Sequence, residues 1–291
     1  MPPTTQKYNI LLQHPVPGAS SLALNALRKP DQTYHDAIAA LCQSTNLVHG
    51  WDLDRDDIAE GSIAYHPIFG DIIYGYSWWR ASTMELCDNL KAAEANPAIA
   101  AHLIHIDSCG GQAFGLHETF DLIRSLKKPC YAVVESCAAS AAYYLAAGCD
   151  KIFTTSKFSK VGSIGVMVVY VDDSEYMEKE GIKVKELYSN YSPLKNQDSR
   201  NLENGETKEF IEKYLDPLAK AFIEDVQKSR KGIAEDSDAL KGEIFLGEAA
   251  QAEGLIDGVS SLDDVIAKLI KKTAAEVSAE APAFDINQLT F

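Results

Sequence analysis

The period of the apolar positions changes several times along this chain. At residues 61–73, GSIAYHPIFGDII, apolar and polar positions alternate enough to predict a strand pair or hairpin. Residues 82–95 read as a helix that Asn96 and Pro97 end, and residues 100–107 as a buried strand. Ser108 to Gln112 is a Gly-rich turn by composition. Leu116, Phe120 and Ile123 then fall at helical spacing, until Lys127-Lys128-Pro129 stops the helix. Strands are expected at 130–135, 151–155, 163–171 and 182–187. Between them lie a small-residue helix at 138–148 and a short helix at 173–180. A polar loop, 190–204, precedes a long amphipathic helix at 206–230. Ile211, Leu215, Leu218 and Phe222 share one face of that helix, and Pro217 predicts a kink. Residues 244–270 add a strand and helices. Repeated strand, helix, strand units imply parallel strands with right-handed crossovers, hence an α/β fold. The expected organisation is an N-terminal arm over 1–50 with one helix near 34–42, a single domain over 51–272, and a flexible tail over 273–291.

Composition narrows the classes. The chain has 291 residues with 27 Lys and Arg against 42 Asp and Glu, a net charge of −15. Such a balance disfavours a nucleic-acid surface, which needs clustered Lys and Arg, and equally an anionic membrane surface. Apolar residues make up 46% and Gly and Pro counts are ordinary, which excludes collagen-like and wholly disordered classes. The N-terminus lacks a basic start followed by an apolar stretch, so no secretory signal is expected. The apolar stretch at 129–149 carries Glu135 and reads as a core strand plus helix rather than a membrane span. Six cysteines form no CxxC pair and no metal-ligand spacing with His. They read as reduced thiols of a cytoplasmic protein, and no metal or cofactor is expected.

Two motifs have the residue types for chemistry. Asp107-Ser108-Cys109-Gly110-Gly111 ends a strand, and two adjacent glycines there let backbone N–H groups face a ligand, as in an oxyanion hole. Gly pairs are, however, chiefly turn punctuation. Ser140 follows a strand and opens an Ala-rich helix, a position that suits either a nucleophile, with the Ala141 N–H as oxyanion donor, or an ordinary cap. A serine nucleophile needs a base. All seven histidines precede Ser140, and His105 and His117 read as structural. A lysine can substitute if burial lowers its pKa, yet by spacing alone Lys195 is a surface residue. Cys137 is a rival nucleophile, but Glu135 lies nearby and no basic neighbour would lower its thiol pKa.

Five segments, in this order, resemble the signal peptide peptidase A family of serine peptidases, which includes phage head-maturation proteases of the minor capsid protein C type. They are IDSCGG, KPCYAVVESCAASAAYYLAAGCDKIFTT, VGSIGV, GIKVKELYS and GEIFLGEAAQAEGLIDGV, and the match spans roughly residues 63–270. The resemblance implies a Ser/Lys dyad on a crotonase- and Clp-like fold. It carries the nucleophile to Ser140 and the oxyanion donors to the backbone of Gly111, or Gly110, and Ala141. It carries a lysine-supporting role to Ser163 and the general base to Lys195. That lysine stands fourteen residues after Gly181, two more than the family pattern, and Lys183 and Lys185 are nearer alternatives. Cys109 replaces the family's proline. Neither a signal nor an anchor is expected, and an arm precedes the peptidase strands. The implied function is therefore phage capsid maturation, with scaffold or capsid proteins as substrates and a homo-oligomeric assembly, in the host cytoplasm or an assembling capsid. A soluble bacterial peptidase of the same family, an inactive scaffold of the same fold, and a crotonase-type acyl-CoA enzyme are the alternatives.

Overall fold

The computed structural model describes residues 10–13, 47–77 and 80–280. The helix expected near 34–42 and residues 281–291 lie outside them. In chain order the elements are β1 (Ile10–Gln13), β2 (Leu47–His49), β3 (Ser62–Phe69), β4 (Ile72–Ile73), β5 (Ala81–Ser82), α1 (Thr83–Ala95), β6 (Ile99–Ser108), β7 (Gly110–Gln112), α2 (Leu116–Ser125) and β8 (Cys130–Ala139). They continue with α3 (Ala141–Ala147), β9 (Lys151–Thr154), β10 (Lys160–Gly162), β11 (Met167–Val168), α4 (Ser174–Lys179), α5 (Gln197–Glu203), α6 (Lys208–Phe210), α7 (Asp216–Ser229), β12 (Ile244–Leu246), α8 (Gly247–Ala252), β13 (Gly258–Val259) and α9 (Leu262–Glu280).

The main sheet runs β12-β10-β8-β6-β3-β2, with β9 on β8 and β13 on β9, and every pairing except β10 with β12 is parallel. Its central strands β6 and β8 are buried along most of their length, which is why they read as near-continuous apolar runs. One face of the sheet, through Ile104, Ile106, Ala132, Val134 and Ala138, packs against α1, α2 and α3. The other, through Tyr65, Leu103, Val133 and Phe153, packs against Val265, Ile266 and Leu269 of α9. A second sheet runs β11-β1-β7-β4-β5. The main sheet begins at Leu47, and α9 runs to Glu280, past the expected start of the tail.

Several expectations hold in detail. Ser82 caps α1 by accepting from the Glu85 N–H, and Asn96 ends it. Others are corrected. β3 and β4 are not a hairpin: Gly70, at φ 75°, turns the chain out of the main sheet into the second one. The Gly-rich stretch is strand β7 rather than a turn alone, because Gly111 lies directly against the Ile72 backbone. β8 extends to Ala139, so the small-residue helix starts later, at Ala141. The strand expected over 163–171 is only Met167–Val168, since the chain breaks extended geometry at Ser163, φ 55°. Residues 182–187 form no strand; they alternate correctly but are exposed and pair with no neighbour among the described residues. A strand pattern without a partner edge does not make a sheet. Ahead of Pro217 the long helix widens into a π turn over Ile211–Leu215, where the Asp216 N–H reaches the Ile211 carbonyl. Pro217 then sits in the first turn of α7, where no N–H is needed.

Candidate active site

Three neighbouring parallel strands end together and bring the expected positions to one sheet edge. On one side β8 pairs with β6, where Ser108 faces Ala138. On the other side β9 takes the first half of β8 and β10 the second, where Gly162 faces Ala139. Gly110 and Gly111 therefore follow β6, Ser140 follows β8 and Ser163 follows β10, at the C-terminal ends of parallel strands where α/β sheets bind ligands.

Ser140 has φ 55° and ψ −123°, a conformation a side chain enters at a cost of about 1–3 kcal/mol. Its N–H donates to the Gly162 carbonyl at 2.9 Å, and its own carbonyl accepts from the Tyr144 N–H at 2.9 Å. One peptide thus closes strand β8 onto β10 while the next opens α3, and the residue stands on a sharp elbow between them, the geometry that presents a nucleophilic serine. Ser163 has the same φ of 55°, and its N–H donates to the Glu243 carbonyl at 2.8 Å. The third non-glycine residue at positive φ among the described residues is Asn196, beside Lys195.

Helix α3 explains how the elbow holds. All seven of its residues are buried, and the alanines let it lie close to the sheet. The Tyr143 hydroxyl donates to the Leu255 carbonyl at 2.9 Å, and the Tyr144 hydroxyl to Asp225 at 2.6 Å. The Tyr144 ring stacks on Phe222 at 4.4 Å. The Asp225 carboxyl is buried, which alone would raise its pKa, yet bonds from Tyr144, Lys228 and His117 hold it below the usual range. Ala141 is the first residue of α3, and first-turn N–H groups have no intrahelical acceptor.

The glycines are required by space. A Cβ on Gly111 would lie 2.0 Å from the Ile72 carbonyl oxygen. Gly110 has φ 109°, and its N–H donates to Ser108 Oγ at 3.1 Å. Cys137 is buried with its sulfur 3.5 Å from that of Cys109. The bond with Cys109 and burial both push the Cys137 thiol up, away from the thiolate a nucleophile needs.

His105 and His117 are bonded elsewhere. His105 bonds Tyr65 at 2.7 Å and Glu135 at 3.1 Å, and the bond from His105 holds Glu135 below the usual carboxylate range. His117 bonds Asp225 at 3.0 Å. Among the described residues neither histidine is hydrogen-bonded to Ser140. Lys195 is exposed on the loop ahead of α5; its N–H donates to the Ser192 carbonyl and its carbonyl accepts from Arg200. Lys183 and Lys185 are exposed as well. The structure thus gathers Gly110, Gly111, Ser140, Ala141 and Ser163, and leaves the lysine in solvent. Two features at the site had escaped the sequence reading: the Glu243 carbonyl that holds Ser163, and β1 of the arm. For β1 the available signal was the apolar triplet Ile10-Leu11-Leu12 between polar neighbours.

The model of peptidase family S49 matches residues 123–277, which include Ser140, Ser163 and Lys195. The chain belongs to peptidase family S49. The head-tail preconnector protein GP5 of Enterobacteria phage P21 is 28% identical over 86% of this chain and 50% of its own. The chloroplastic serine protease SPPA of Arabidopsis thaliana is 29% identical over 63% of this chain and 27% of its own. Capsid assembly protease C of Escherichia phage lambda is 23% identical over 61% and 40%. The chain spans about half the length of the first of these relatives and less of the others. Among solved structures, a ClpP1 variant from Listeria monocytogenes has a TM-score of 0.44 at 13% identity, covering 69% of this chain and 94% of that one.

Proposed function

We propose that this S49 member is an endopeptidase with Ser140 as nucleophile and Lys195 as general base. The observation that carries the reading is the strained elbow at Ser140, seated between the Gly110–Gly111 backbone and the first N–H of α3. Neutral Lys195 takes the hydroxyl proton, Ser140 Oγ attacks a peptide carbonyl, and the N–H groups of Gly111 and Ala141 receive the oxyanion. The lysine returns its proton to the leaving amine, and water, with the same base, hydrolyses the ester. Ser163, directly after the strand beside Ser140, orients the lysine.

A neutral lysine needs burial, and a single chain leaves Lys195 exposed. The segment around it also exposes Val171, Val184, Leu187, Tyr191 and Leu194. A second copy packed over this segment would cover both, so the active form is a homo-oligomer. The kinship with a phage P21 head-tail preconnector and with phage lambda's capsid assembly protease supports a place in capsid assembly, with scaffold or capsid proteins as substrates. The test is mass spectrometry of candidate capsid and scaffold proteins incubated with wild type, Ser140→Ala and Lys195→Ala. Only wild type should generate new peptides. Identical peptide maps would end the peptidase reading, and full activity of Lys195→Ala would move the base to Lys183 or Lys185.

A further inference from the structure

The arm supplies strand β1, and β1 lies between β7 and β11, antiparallel to both. On one side Leu11, Leu12 and Gln13 face Gln112, Gly111 and Gly110. On the other, Ile10 and Leu11 face Val168 and Met167. Both flanking strands lead directly from the site: β7 begins at Gly110, and β11 follows Ser163 within a few residues. Strands in a sheet are spaced by about 4.8 Å, so β7 and β11 leave a slot one strand wide. The natural occupant of such a slot is an extended peptide, bound through its backbone.

The direction of β1 matters. Its chain runs from Leu11 opposite Gln112 to Gln13 opposite Gly110. It therefore advances towards the glycines that flank Ser140, carrying its C-terminal end to the reacting edge. A peptide awaiting cleavage would lie the same way. Because the arm is covalently attached, it competes at an effective concentration that dilution does not reduce.

We infer that residues 10–13 of the arm are an intramolecular occupant of the peptide-binding slot, seated in the direction of a substrate, and that they exclude other peptides while in place. The role assigned to the slot rests on the proposed peptidase reading; the placement of the arm does not.

Two experiments on the full chain separate the two claims. In a Ser140→Ala background, Leu11→Cys with Gln112→Cys should form a disulfide under oxidised glutathione, identified as a linked tryptic peptide with a yield independent of protein concentration. The control pair Leu11→Cys with Val259→Cys should not. Equal yields from the two pairs would overturn the placement. In the Ser140-containing chain, Leu11→Pro removes the N–H of the one β1 residue that faces both flanking strands, Met167 on β11 and Gln112 on β7. The variant should show a KM for an unrelated quenched fluorescent peptide about tenfold below that of wild type, with kcat unchanged. An unchanged KM in active enzyme would overturn the exclusion. A chain that forms the cross-link but cleaves no peptide in either form would uphold the placement and reject the peptidase reading.

Discussion

Gly111 illustrates how little freedom a single residue has at this edge. It must approach the Ile72 backbone to complete β7, and a methyl group at 2.0 Å from a carbonyl oxygen forces β4 or β7 to move. Gly111→Ala keeps the N–H but displaces it as β7 shifts away from Ile72, so on the proposed mechanism kcat should fall by about a hundredfold or more, the worth of one oxyanion donor. Steady-state kinetics beside a circular-dichroism spectrum would check it; unchanged kcat would remove Gly111 from the mechanism. The glycine pair was visible in the sequence, but its meaning was not. Turn punctuation and close backbone approach look alike until the neighbouring strand is known.

At the scale of elements, β3 and β6 bury a histidine pair. His66 and His102 stack at 5.4 Å, and His102 bonds Glu94 at 3.1 Å. Burial pushes His66 well below the ordinary imidazole range, and burial lowers His102 against the opposing pull of Glu94. A histidine whose folded pKa is depressed stabilises fully above its unfolded value near 6.5 and loses that contribution as pH falls below it, because only the unfolded chain takes the proton. The unfolding free energy from urea titration should thus drop between pH 7.5 and 5.5, by about 1.4 kcal/mol for each histidine kept neutral. The drop should be smaller in His66→Gln. An equal drop in that variant would contradict the account. These strands were legible because apolar runs dominate them, whereas residues 182–187 were misread. Alternation predicts which face a strand would bury, but not whether a partner strand exists.

For the whole molecule, the question is assembly. Leu187, Tyr191 and Leu194 are 94%, 97% and 77% exposed, an unfavourable arrangement for a lone chain. Wild type should sediment as an oligomer. Leu187→Asp combined with Tyr191→Asp should yield a monomer with intact secondary structure and no peptidase activity, because Lys195 stays in water. Analytical ultracentrifugation with a peptide assay would decide it; a fully active wild-type monomer would defeat the requirement for assembly. The excess acid is concentrated late in the chain: residues 201–291 hold 19 acidic and 10 basic side chains, beyond Ser140 and Lys195 in sequence.

The α/β class and the order of most elements follow from local pattern alone, while Ser140 was singled out among the candidates by the resemblance of five segments to a known family. Apolar periodicity, caps and Gly or Pro punctuation are short-range properties that each segment carries with it. What only the tertiary structure decided is which segments meet. The split of β8 between β9 and β10 sets Ser163 beside Ser140, the Ile72 backbone makes Gly111 obligatory, and the arm finds its partners far along the chain. Such pairings depend on backbone groups, which every residue shares, so no side-chain pattern announces them.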